Sequence, residues 1–508
     1  MHHFSDQNLQ HFFSLITYQD INPDTPNLPD LPNFSDRDPA AEVWSTTDIL
    51  SRKTYSKDLN PRFHLQARDE PQSMPSIDAV LWPRDNHALQ KIVKAANQAN
   101  VELYPYGAGS GVCAGAVPNQ DKPATPTTKR PKIIIDLKRL NQIIEVDTIS
   151  QTCHVEAGII GQQLEEKLNT LGFTMGHFPS SIYCSSFGGY LATRAAGQLS
   201  TYYGKMEDIV LSLTGVLPNG ELFSTVKTPR AAMGPDFNHL FVGSEGTLAF
   251  LTSAWVKIHR LPEDRAFFGY TATSTEEALR AIQTLLQSGL RPAVIRIYDE
   301  DESRMLMGLK SGVKVVIIAE GTRAFVAYHK SELQRILAGF QFTDLGPEPA
   351  EHWWSHRYDV SYRQQQILSH RRMILDTFEV SACYRELPKL YRQIKNAAAQ
   401  SIADKSQNEM FILLAHFSHF YHTGANIYFT LCGRASESGL PSDYYDRAWS
   451  HLLAECVSAN GAVSHHHGIG RLKSDALTTQ MASLHPILKG IKYALDPKNI
   501  LNPANLGL

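Results

Sequence analysis

Two histidine-rich strings gather side chains that could move protons. Ser464-His465-His466-His467-Gly468 sets three imidazoles in a row, and His416-Phe417-Ser418-His419-Phe420-Tyr421-His422 runs towards Ile427-Tyr428-Phe429. An unperturbed imidazole titrates near neutral pH, which suits acid–base work. On an extended backbone His465 and His467 would share one face and His466 the other. Three imidazoles also suit a transition metal. No carboxylate or thiol sits at a helpful local spacing, so the expectation is no metal. Tyr428 lies in a strand-like run, where a core tyrosine with a satisfied hydroxyl is the plain reading.

A second kind of chemistry belongs to backbone. Pro105-Tyr106-Gly107-Ala108-Gly109-Ser110-Gly111 follows a predicted strand. Glycines permit positive φ and close approach of N–H groups to an anion, and a cofactor diphosphate is the natural occupant. An ordinary tight turn fits the same residues. The dinucleotide fingerprint GxGxxG opening a long helix is absent. Residues 179–197 (PSSIYCSSFGGYLATRAAG, with a buried-looking Arg194), 203–220 and 243–251 (GSEGTLAFL) repeat the texture of small side chains beside strands, suited to backbone contact with a large planar ligand.

These strings need a scaffold. The chain has 508 residues, 43% hydrophobic and 19% charged, with a net charge of −3. That composition excludes a mostly disordered chain and gives no global basic footprint for nucleic acid. No run of about 18 apolar residues exists, which argues against a membrane-spanning helix. The six cysteines are dispersed without a CxxC, as in a reduced cytosolic protein;. The N-terminus lacks secretory-signal texture and the C-terminal NLGL is not a peroxisomal tripeptide, so a cytoplasmic location is expected;.

Residues 20–44, rich in Pro, Asp and Asn, read as an extended lead-in that wraps over a domain. Strand, helix and strand follow over 79–104, then an exposed loop over 119–131 and a buried strand over 132–137. Residues 147–158 read as strand and turn, and 161–170 as a helix. Beyond 262, helices are expected over 275–287, 330–339 and 381–399, with strands over 313–319 and 427–431. The divisions are 1–72 for the lead-in, 73–262 and 263–455 for two domains, and 456–508 for a tail carrying the histidine loop.

The ordered strings DAVLWP, PYGAGSG, VEAGIIGQQLEEKL, FGGYLATRAAG, YGKMEDIV, GSEGTLAF, FSHFYHTGANIYF, SHHHGIGRLK and DPKNILNP span residues 78–503. This order resembles FAD-binding enzymes of the vanillyl-alcohol oxidase/p-cresol methylhydroxylase type, and within them the alkylglycerone-phosphate synthases. The resemblance implies an α+β architecture: an FAD-binding domain of two subdomains (73–262) plus a cap built on an antiparallel sheet (263–455). It implies non-covalent FAD, since no histidine stands in the first glycine loop. The diphosphate would be held by Pro105, Tyr106, Gly107, Ala108, Gly109, Ser110 and Gly111. Flavin or ribityl contacts would come from Ser180, Ser181, Ile182, Tyr183, Cys184, Ser185 and Ser186, from Thr193, Arg194, Ala195 and Ala196, and from Glu245, Gly246, Thr247, Leu248, Ala249, Phe250 and Leu251. His465, His466 and His467 match the family's histidine loop. Tyr428 falls on its active-site tyrosine, for proton transfer at the substrate carbon, with His466 or His467 as acceptor.

One departure stands out. The family's phosphate-binding arginine position falls on Gln364, with Arg363 one residue early, a rotation of about 100° on a helix;. Either Arg363 serves as the substrate-phosphate residue or the phosphate site is altered, with Arg357, Arg371 and Arg372 as other anion binders. The resemblance implies exchange of the acyl chain of acyl-dihydroxyacetone phosphate for a fatty alcohol without net redox change. The alternative is an FAD-dependent oxidoreductase acting on a D-2-hydroxy acid or related alcohol. Expected partners are a small-molecule or lipid-like substrate, no nucleic acid, a peripheral membrane contact, in which Phe12 to Ile16 could dock or simply pack, and a homodimer.

Overall fold

The computed structural model describes residues 41–118, 130–359, 368, 370 and 372–508. The first sheet has the order Val43–Thr46, Ala79–Pro83, Lys132–Asp136, Glu102–Tyr106. The last three strands run parallel, and Val43–Thr46 adds an antiparallel edge. Parallel strands need a crossover, and the helix Asn86–Ala99 supplies one. It buries Leu89, Ile92, Val93 and Ala96, and the Asp85 side chain caps it by accepting from the Ala88 N–H at 2.9 Å;. The C-terminal tail returns to this sheet, with Leu103 N–H donating to Ile500 O at 2.7 Å.

A second, antiparallel sheet has the order Ile143–Asp147, Thr152–Glu156, Phe250–Lys257, Val210–Val216, Leu222–Ser224. The segment read as strand and turn over 147–158 is the second half of a hairpin. Asp147 Oδ1 accepts from the Ile149 and Ser150 N–H groups at 2.9 Å and shapes its turn;.

The third sheet is antiparallel and seven-stranded: Phe342–Gly346, Asp264–Ala272, Val313–Gly321, Val294–Tyr298, Met410–Phe420, Gly424–Arg434, Met373–Cys383. Its two faces separate by the period-two rule. Ile295, Ile297, Ala415, Phe417, Ile427, Phe429, Phe378 and Val380 join one large core with the helices Thr275–Gln287, Leu387–Ala397 and Pro441–Ser458. The opposite face carries Tyr298, His416, Tyr428 and Glu379 in one row of directly paired residues. Arg296, two residues before Tyr298, shares that face. The short helix Ser200–Tyr203 packs on its strands, so this polar face looks towards the first half of the chain.

Of the extended stretch read over 20–44 only residues 41–44 are described, and they lead into the edge strand Val43–Thr46. The described rest of the 1–72 division forms the helices Ile49–Tyr55 and Pro61–Asp69, and Leu65 enters the large core of the third sheet. Two expectations are corrected. The helix expected over 381–399 is the strand end at Cys383 followed by Leu387–Ala397, because pairing of Ser381 with Asn426 prolongs the strand. The helix expected over 330–339 starts earlier, at Arg323, where Thr322 caps it. The 119–131 loop, apart from its last two residues, and the 12–16 segment lie outside the described residues.

Candidate active site

The glycine strings converge. A Cβ on Gly107 would collide with Ser186 Oγ, one on Gly246 with the Pro105 ring, and one on Gly468 with Glu245 and Thr193. Gly109 has φ +68°, open to glycine, and an added Cβ there would strike the Tyr106 hydroxyl;. The lead-in holds this loop from behind, since Leu59 N–H donates to Gly109 O at 3.0 Å and to Gly111 O at 2.9 Å. Ser186 Oγ, Ser244 Oγ and both ring nitrogens of His177 are buried without a hydrogen-bond partner among the described residues. A side-chain-free cradle edged by unused polar atoms fits a ligand with phosphate and ring heteroatoms, as FAD has.

Not every expected contact points that way. Arg194 is exposed rather than buried: it ends the helix Phe187–Thr193 in the left-handed region (φ 53°), and its guanidinium lies 3.5 Å from Glu207. Leu248, Ala249, Phe250 and Leu251 bury their side chains in cores, which leaves only their backbone for a ligand. Tyr183 is exposed and meets Tyr358 edge-on. Glu245 turns its carboxylate to the histidine loop, accepting from Ile469 N–H at 2.6 Å and Gly470 N–H at 2.9 Å.

A second buried carboxylate, Glu379, holds the front of that loop. It accepts from Ser464 Oγ at 2.7 Å, from the His465 and His467 N–H groups at 2.5 and 3.1 Å, and from Lys473 Nζ at 3.0 Å. Burial, the largest single influence, would raise this carboxyl, but Lys473 and the loop groups His467, His465 and Ser464 together outweigh it and hold it well below the usual carboxylate range;. The loop bends to aim its N–H groups at this charge, so the alternation expected of an extended His465-His466-His467 does not occur. Instead His465 Nδ1 lies 2.9 Å from His466 Nδ1, and the His466 and His467 ring centres are 4.5 Å apart. Burial pushes all three imidazoles down, His467 to about 4, so they are neutral at pH 7.

Tyr428 stands beside this loop. Its ring centre is 6.2 Å from that of His466, 5.6 Å from His467 and 4.9 Å from His416, on which it stacks. Burial pushes its hydroxyl up to about 12, with Thr377 opposing. Among the described residues no hydrogen bond joins that hydroxyl to His466 or His467, so the acceptor expected for it is near without being paired to it. Across the row, His416 Nε2 is 2.6 Å from Arg296 Nη2, and its Nδ1 is 3.4 Å from Glu302. That places the ring proton on Nδ1 and the lone pair towards Arg296.

His177, Arg296, Ser200, Glu379 and Lys473 were not singled out as site residues. A lone charge or histidine carries no local signal: strand register brings Arg296 and Glu379 to the row of Tyr428, Lys473 and Ser200 join through Glu379 and His419, and His177 packs on Tyr190. His419 and Tyr421 belong to a recognised cluster, but their contacts with His465 and His466 cross between separate segments. Arg363 lies outside the described residues, as does Arg371. Arg357 stacks on Trp354 and Tyr358, and Arg372 pairs with Glu437 at 3.4 Å.

Residues 77–225 match the family described as FAD binding domain, and residues 261–506 that described as FAD linked oxidases, C-terminal domain. FAD is thus the cofactor, and the chain is an FAD-linked enzyme. A solved alkyldihydroxyacetonephosphate synthase superposes with a TM-score of 0.79 at 26% identity, covering 95% of this chain and 87% of that one. A p-cresol methylhydroxylase structure shares the fold, with a TM-score of 0.70 at 16% identity over 91% and 94% of the two chains. The alkyldihydroxyacetonephosphate synthase of Trypanosoma brucei brucei is 32% identical over 461 residues, 84% of this chain and 73% of the relative. By that identity, sustained through both halves of the fold, the chain belongs to the alkyldihydroxyacetonephosphate synthase family.

Proposed function

We propose that this enzyme exchanges the acyl chain of acyl-dihydroxyacetone phosphate for a long-chain alcohol, forming an ether lipid precursor. The observation that carries the reading is Tyr428 beside a neutral histidine loop, itself tied by Glu245 to the glycine strings. In this reading residues 73–262 hold FAD non-covalently, 263–455 cap the substrate, and 456–508 return the histidines to the site. Gly107, Gly109 and Ser186 would hold the cofactor, which when bound supplies an electron sink beside the substrate carbon.

The chain's own groups divide the proton work. Tyr428 stays protonated at neutral pH and serves as a hydrogen-bond and proton donor;. His466 and His467, kept neutral by burial, serve as acceptors. Arg363 is proposed for the substrate phosphate. Arg296 is a second anchor: its hydrogen bonds go to neutral His416 and Tyr298, which leaves its charge available to an anion on the Tyr428 face;. A test uses FAD-loaded protein, acyl-dihydroxyacetone phosphate and a labelled long-chain alcohol, with no electron acceptor. Label in an ether-linked product is expected. No label, with flavin bleaching by a D-2-hydroxy acid instead, would overturn this reading in favour of an oxidoreductase.

A further inference from the structure

The histidine loop forms part of a wall with two sides. His466 faces Tyr428, whereas His465 lines an open cleft of about 510 Å³ together with Tyr421, Lys205, Asp208 and Asn460. The two rings touch through the wall, Nδ1 to Nδ1 at 2.9 Å. Two such nitrogens can approach this closely only if one carries the shared hydrogen and the other a lone pair. On the cleft side, His465 Nε2 lies 2.9 Å from the Tyr421 hydroxyl, which is also 3.4 Å from Ser200 Oγ. Lys205 Nζ pins the His465 carbonyl at 2.6 Å and fixes that ring's backbone.

We propose that His466, His465 and Tyr421 form a proton relay between the active site and the cleft. A proton arriving on His466 Nε2 releases the Nδ1 hydrogen to His465 Nδ1. His465 gives its Nε2 hydrogen to the Tyr421 oxygen as Tyr421 gives its own hydrogen to water in the cleft. The outward passage moves one proton to the cleft and leaves no group charged, and an inward passage of one proton restores the starting tautomers, so the relay works once in each direction per cycle. Burial keeps both imidazoles neutral between passages, as a conductor requires.

The inference rests on the reaction proposed above, which gives the relay a stoichiometric load. An ester and an alcohol become an ether and a carboxylic acid: the departing carboxylate takes up one proton and the incoming alcohol gives one up, so one proton passes in each direction per turnover and the acid carries its own proton out. Tyr421 is then a positioning residue that acts through His465, and its backbone contacts survive truncation to Phe.

The experiment compares FAD-loaded wild type with Tyr421→Phe by NMR on ¹⁵N-histidine-labelled protein. The ring N–H signals are assigned by their loss in His465→Asn and His466→Asn. Exchange of these hydrogens with solvent should slow at least about tenfold in Tyr421→Phe, and kcat should fall by about 100-fold, the lower end of what a positioned proton-transfer group contributes. KM should hold, and added imidazole buffer should restore rate. Unchanged exchange in a folded, FAD-loaded variant would overturn the relay. A wild type inactive in ether formation would sink the proposed reaction, while the exchange measurement would still decide on the relay.

Discussion

At the scale of single residues, the site's character comes from burial more than from residue type. Histidine titrates near 6.5 when unperturbed, yet here burial lowers His419 to about 3 and His467 to about 4;. In the unfolded chain these groups take up protons as pH drops below about 6.5, while the native groups stay neutral. The unfolded state then binds more protons, so stability falls with falling pH. Glu379 adds a loss of the same sign below about 4.5, because its native carboxyl is depressed. The buried carboxyls Asp58, Glu165 and Asp376, pushed up to about 7 by burial, act with the opposite sign. The measurement is therefore the difference in denaturant unfolding between the FAD-loaded wild type and His467→Asn: the wild type should lose more stability than the variant from pH 6.5 to 4, and equal slopes would contradict a neutral buried imidazole there. Tyr428→Phe should keep FAD and lower kcat by about 100-fold or more, the scale of a positioned proton donor. An active variant, scored by ether product at equal flavin absorbance, would remove Tyr428 from the chemistry.

At the scale of elements, the loop over 464–470 is held by charges from elsewhere. Glu379 comes from the strand Met373–Cys383, directly across from Tyr428 in Gly424–Arg434, so one register fixes both the tyrosine and the carboxylate that shapes the loop. Lys473 is fully buried against that carboxylate. Removing one partner leaves an uncompensated buried charge, which costs about 3–5 kcal/mol. Lys473→Met should therefore destabilise the protein by that order in denaturant unfolding. The double variant Lys473→Met, Glu379→Leu should recover part of it while turnover stays lost, because the loop N–H groups then have no acceptor. Full recovery of activity would show that the carboxylate does not position the histidines.

At the scale of the whole molecule, the site exists only where its halves meet. The C-terminal tail bonds to the first sheet through Leu103, and the helix Pro61–Asp69 joins the far side of the cap through Arg62 and Asp446 at 2.8 Å. These returns close the chain around the glycine strings. Denaturing the purified enzyme should release all its flavin as free FAD, and flavin absorbance remaining on the polypeptide would refute non-covalent binding. Gly109→Asp should abolish FAD retention, since its backbone sits at positive φ and any Cβ meets the Tyr106 hydroxyl; normal flavin content would move the diphosphate elsewhere.

Much of this was legible before folding. Local chemistry determined the crossover helix Asn86–Ala99, the buried strand Lys132–Asp136 and the helices Gly161–Thr170 and Thr275–Gln287, because periodicity and caps act within a few residues;. The glycine strings and the histidine loop were likewise visible, and their order pointed to FAD and to the family. Tertiary structure decided what those residues touch. It turned Arg194 outward, spent the Glu245 carboxylate on loop N–H groups, bent the three histidines around Glu379, and joined His465 to Tyr421. The physical reason is that a buried charge or hydrogen bond is satisfied by whichever group strand register and chain return bring within about 3 Å. That distance is a property of the packed sheet and has no trace in the spacing of residues along the chain.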